Sequence, residues 1–199
     1  MIATIVAIVA PLNANAESAP DTPNSSYVYH VNGAGATFPF PLIDLWRVEY
    51  HNDFPNVDLN YQSIGSGGGI KLHIEKQVNF AASDAPMNTK ERGLAPHTLH
   101  IPETMGGVVV AYNIPEIPQS GLKLSGKVIS SIFMGNITKW NDPLIKELNP
   151  ELSLPNQDIV VAHRSDGSGT TFVFTDYLSN ADPDPGWAKI VGKGKTVPW

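Results

Sequence analysis

Three runs of small residues constrain what this chain can fold into: Gly33-Ala34-Gly35-Ala36-Thr37-Phe38-Pro39, Gly65-Ser66-Gly67-Gly68-Gly69 and Asp166-Gly167-Ser168-Gly169-Thr170-Thr171. Each follows a β-prone segment and precedes one with helical spacing. Tyr27 to Val31 is β-rich, Val57 to Ile64 alternates like a strand, and Asp158 to Ala162 reads as a strand. Pro39 to Asn52 carries Leu42, Ile43, Leu45, Trp46 and Val48 at helical spacing, with proline in the first turn. Gly69 to Gln77 and Thr170 to Leu178 read as helices, as do Gly126 to Met134 and Asp142 to Leu148. Val78 to Ala82 is strand-like, and the unbroken apolar run Met105 to Ile114 predicts a strand covered on both faces. This alternation predicts an α/β fold.

A helix N-terminus offers unpaired N–H groups and a partial positive charge, and glycine lets an anion approach the backbone. Any one of the three junctions is equally well a capped tight turn. All three at strand-to-helix junctions point to a ligand site, since such loops gather at the carboxyl ends of strands. No junction fits a nucleotide pattern. Gly65 to Gly69 lacks the Gly-Lys-Ser/Thr of a P-loop, and Thr37-Phe38 stands where a dinucleotide loop places its third glycine. A small anion fits better. Arg164 can offer a planar fork to a tetrahedral oxyanion, with Asp166 two residues on to hold it; the alternative is a surface ion pair. Asp84, in Ala82-Ser83-Asp84-Ala85-Pro86, follows another apolar segment and is either a ligand contact or a turn cap.

The net charge of −6 argues against nonspecific nucleic-acid binding, which needs a basic face. It also means that a bound anion must be held by local dipoles and a few placed cations. The absence of cysteine excludes disulfides, zinc–thiolate sites and thiol nucleophiles. His97 and His100 lie in a Pro-rich stretch with no third ligand, so no metal site is expected. Ser168 lies between glycines but outside a Gly-x-Ser-x-Gly pattern, and no base or metal cluster accompanies it. Residues 1–16 resemble a secretory leader, an apolar run ending in Ala14-Asn15-Ala16, and the Pro- and Ser-rich stretch 17–26 reads as an exposed mature terminus.

The combination GAGATFP (Gly33–Pro39), YQSIGSGGG (Tyr61–Gly69), ASDAPM (Ala82–Met87), GGVVVAYNIP (Gly106–Pro115), GNITKWNDP (Gly135–Pro143) and RSDGSGTTFVFTDYL (Arg164–Leu178) resembles the periplasmic phosphate-binding proteins of ABC importers. The resemblance implies two α/β lobes joined by a hinge, of the type II periplasmic binding protein kind. Residues 27–85 would form the N-terminal part of lobe 1 and residues 86–199 lobe 2, both incomplete because the family pattern continues past Trp199, completing the second lobe and crossing back to the first. It implies inorganic phosphate as ligand, bound by Thr37, Phe38, Ser66, Arg164, Ser168, Gly169 and Thr170, with Asp84 accepting a protonated ligand oxygen. It implies further a monomer outside the cytoplasm, without cofactor or catalysis, that hands phosphate to membrane permease subunits. The alternatives are another oxyanion, a sensor or buffer without a transporter, and a secreted phosphatase-like hydrolase.

Overall fold

A computed structural model describes residues 27–117, 121–183 and 186–199. The leader-like segment 1–16 and the stretch 17–26 lie outside the described residues. Strand β1 (Tyr29–Gly35) is central in a parallel sheet of order β2-β1-β3, between β2 (Val57–Ser63) and β3 (Phe80–Ala82). Parallel neighbours need crossover connections. These are helix α1 (Phe40–Asp53), between β1 and β2, and α2 (Ser66–Ile74), between β2 and β3. Helix α2 seats directly on β1, where a Cβ at Gly69 would overlap the backbone of Gly35. Ala36, Ile43, Tyr61 and Ala82 form the buried cluster on this sheet, and the Tyr61 hydroxyl donates to the Ala36 carbonyl at 2.7 Å.

Helix α3 (Thr89–Leu94) packs against α2. Asn88 and Glu91 open it with a reciprocal capping box: each side chain accepts the other's backbone N–H. The remaining helices, α4 (Gly126–Phe133), α5 (Pro143–Leu148), α6 (Gly169–Ala181) and α7 (Trp187–Ile190), belong to a second packed region. Its cores are Ile114, Ile117, Val128, Ile132, Ile137, Ile145 and Leu154, and beside them Ile129, Leu178 and Trp187. Asp182 ties the latter together, accepting from the Ser130 hydroxyl at 2.6 Å and from the Trp187 backbone N–H at 3.0 Å. Among the described residues no helix is long and apolar enough to cross a membrane.

The structure departs from the sequence reading at two segments. Met105–Ile114 forms no strand, and Met105 and Val109 are 95% and 84% exposed. Asp158–Ala162 is not a strand either; Asp158 forms an isolated antiparallel bridge to Lys139, and Val160 faces solvent. An apolar run creates a demand for burial, but a strand also needs a partner for its backbone, and no described strand lies alongside either run. The third glycine-rich loop therefore opens α6 without a strand before it, and Arg164 follows irregular chain, not a strand end. On α1, Ile43 is buried, whereas Leu45 and Trp46 of the same apolar set are exposed.

Candidate functional site

The site is built from loop ends. After β1, the Ala36 N–H donates to Ala82 O at 2.8 Å, which fixes the turn carrying Thr37 and Phe38 into Pro39 and α1. After β2, the Ile64 N–H donates to Gly35 O at 3.0 Å, and Gly65 then turns the chain into α2. Its φ of 82° lies in the left-handed region that favours glycine. In the third loop, Ser168 caps α6, its Oγ accepting the Thr171 N–H at 3.2 Å. Neither α2 nor α6 carries an acidic residue in its first turn, so their own residues leave both positive ends uncompensated.

The three loops meet. The Gly67 N–H at the start of α2 donates to Gly167 O at 2.7 Å, and a Cβ at Gly67 would come within 3.0 Å of Gly167 Cα. Arg164 lays its fork on Asp166, Nε to Oδ1 at 2.6 Å and Nη2 to Oδ2 at 2.5 Å. Its remaining nitrogen, Nη1, donates to Thr37 Oγ1 at 3.2 Å. Opposite, the Thr170 hydroxyl donates to Asp84 Oδ2 at 3.1 Å, and the Asp84 N–H donates to Ser66 Oγ at 3.3 Å. Gly169 lies so close to Ser66 and Asp84 that a Cβ would overlap the Ser66 hydroxyl.

The charges follow from this geometry. Burial raises the Asp84 carboxyl above its ordinary value, partly offset by the hydroxyl and backbone N–H of Thr170 and by the Arg164 charge. Burial raises Glu103 as well, helped by the Asp84 charge, and raises the Tyr61 phenol, with Glu103 and Asp84 adding to it. Asp166 is lowered by its hydrogen bonds from Arg164, which is itself raised by the same contact. The Arg164–Asp166 pair is partly exposed, so it aims the guanidinium more than it stabilises the fold.

Of the residues singled out in the sequence, Thr37, Arg164 and Asp166 fall in one contact group, and Ser66, Asp84, Gly169 and Thr170 in another. The glycine backbones of Gly67 and Gly167 join the two groups. Ser168 is buried, with its Oγ accepting at the helix cap, so its own O–H is available to donate. Phe38 is carried to the site by its neighbour Thr37, and its ring lies over Gly106. Sequence reasoning missed the direct contact of Gly67 with Gly167 and the proximity of Glu103 to Asp84. Nothing local marks either, since each joins segments far apart in the chain. Among the described residues no His, Asp and Glu cluster could hold a metal ion.

Strand-end loops of a parallel sheet thus converge on a helix N-terminus from a second packed region, an α/β arrangement with room for a small ligand. More particularly, the chain belongs to the PBP superfamily, whose domain model matches residues 14–196. It is 52% identical over 170 residues to a protein of Haemophilus influenzae named phosphate-binding protein PstS, covering 85% of this chain and 49% of that one. The Pasteurella multocida protein of the same name is 49% identical, covering 85% of this chain and 48% of its own length. A solved structure from Clostridium perfringens, designated a phosphate ABC transporter substrate-binding protein with bound phosphate, matches in fold. Its TM-score is 0.55 at 24% identity, over 75% of this chain and 56% of that one. The chain thus spans about half the length of the curated relatives it matches.

Proposed function

We propose that this chain binds inorganic phosphate outside the cytoplasm and delivers it to the membrane permease of an ABC importer, without chemical change to the ligand. The observation that carries the reading is the convergence at the loop ends. Two helix N-termini with no acidic residue in their own first turns, a guanidinium aimed by Asp166 and a half-buried carboxylate face one small space. The names of the relatives above support phosphate as the anion. The N–H groups of Thr37, Phe38, Ser66 and Gly169, the hydroxyls of Thr37, Ser66 and Ser168, and Arg164 would then donate to phosphate oxygens, and Thr170 would do so by exchanging its bonds to Asp84 for the ligand. The sheet region, with α3 packed on α2, and the second helical region act as two lobes that close on the ligand about a hinge.

Asp84 supplies the selectivity. Phosphate near neutral pH keeps at least one O–H, which a carboxylate accepts. Sulfate has none, and its oxygen would face the Asp84 oxygen unpaired, at a cost of at least about 1–3 kcal/mol. Calorimetric titration with phosphate, sulfate and arsenate tests the reading. Phosphate and arsenate, both protonated tetrahedral anions, are expected to bind and sulfate to bind far more weakly. Equal binding of all three, or none, contradicts it. Release of nitrophenol from nitrophenyl phosphate, lost in Ser168→Ala, would favour a hydrolase instead.

A further inference from the structure

Lys195 lies 104 residues from Glu91, yet its Nζ donates to both Glu91 oxygens at 2.9 Å. The two side chains are only 13% and 21% exposed. The Lys123–Glu151 and Lys139–Asp158 pairs, by contrast, stand in open solvent. An ion pair this sheltered is screened weakly by salt, and removing one partner leaves the other charge without compensation in a poorly hydrated place.

Both ends of this contact are anchored to the anion site. The Lys195 carbonyl accepts the Ser168 N–H at 2.9 Å, so its backbone holds the residue that caps α6. The preceding residue is pinned to the same helix, the Gly194 N–H donating to the buried Thr175 Oγ1 at 3.1 Å. At the other end, Glu91 closes the α3 capping box, its Oε2 accepting the Asn88 N–H at 2.7 Å. Asn88 lies four residues beyond Asp84 in the chain. The contacts form a circuit: Asp84 to Thr170, back along the loop to Ser168, across to Lys195, on to Glu91, and along the chain to Asp84 again.

We propose that Lys195 is a positioning residue of the anion site, and that its ion pair with Glu91 holds the α6 loop against the Asp84 segment in the arrangement that grips the ligand. The proposal rests on the phosphate reading. Neither side chain touches the ligand; the pair acts by keeping Ser168, Gly169 and Thr170 in register with Asp84 and Ser66. Its loss therefore shows as faster phosphate release.

The test compares the full chain with Glu91→Gln, Lys195→Met, the double variant and the charge-exchanged Glu91→Lys/Lys195→Glu, by phosphate titration and stopped-flow release. Gln keeps the capping box and Met keeps the apolar stem, so both single variants are expected to fold. Each is expected to raise the phosphate Kd about tenfold, mainly through the off-rate, with little further loss in the double variant. The charge exchange is expected to recover most of the affinity. Single variants that lower the melting temperature but leave phosphate Kd and off-rate unchanged assign the pair a structural role and overturn the proposal. So does a charge exchange no better than the singles. A parent chain that fails to bind phosphate overturns the phosphate reading and this inference together.

Discussion

Asp84 and Arg164 do opposite work within one small volume. Arg164 carries a fixed positive charge whose direction is set by Asp166, and its Nη1 reaches Thr37. Arg164→Ala removes a charged donor and is expected to raise the phosphate Kd about tenfold to hundredfold by calorimetry. Asp84 is raised by burial, so its proton returns at a higher pH than for a solvated aspartate. As pH falls through that raised value the carboxyl becomes a donor, and discrimination against sulfate is expected to weaken. Competition titrations from neutral to mildly acidic pH check this, and in Asp84→Asn the discrimination is expected to be poor and flat with pH. The same shift has a stability sign. A raised folded value means that the contribution is present below the unfolded value and is lost as pH rises through the folded one. Asp84→Asn is therefore expected to flatten the fall in melting temperature over that rise. Both residues were legible in the sequence, because a charged side chain beside glycine and serine is locally unusual. Glu103 was not legible, since only the fold brings it near Asp84.

At the scale of elements, α2 and α6 matter through their first turns. Both N-termini were readable from glycine, serine and threonine, which suit caps and tight turns by their own chemistry. Helix α3 was missed although Asn88 and Glu91 carry capping-box spacing, because it is short and has no buried residue to give it an apolar stripe. The segments 105–114 and 158–162 failed as strands for a different reason: the composition of one segment says nothing about whether a partner is present to pair with it. Seating α2 on β1 leaves no room above Gly35, so Gly69→Ala is expected to destabilise the chain by about 1–3 kcal/mol in denaturant unfolding. A change within experimental error would mean that α2 can lift from the sheet without cost.

For the whole molecule, the decisive feature is that the sheet and the second helical region touch through the site itself. Gly67 meets Gly167, Thr170 meets Asp84, Arg164 meets Thr37, and Lys195 meets Glu91. The α/β class and the family likeness were legible because they rest on motifs spread along the chain. The long-range contacts were not legible, since pairings over such distances depend on packing that no local pattern records. Behind the site, Trp187 is fully buried against Ile129 and Leu178. Trp187→Ala is expected to cost about 3–5 kcal/mol of stability, read by thermal or denaturant unfolding. The claim that converging backbone amides grip the anion is tested most directly by following amide resonances while phosphate is added. The largest shifts should fall on Thr37, Phe38, Ser66, Gly169 and Thr170, and sulfate at the same concentration should leave them nearly unmoved. Shifts scattered elsewhere, or an equal response to both anions, would contradict it.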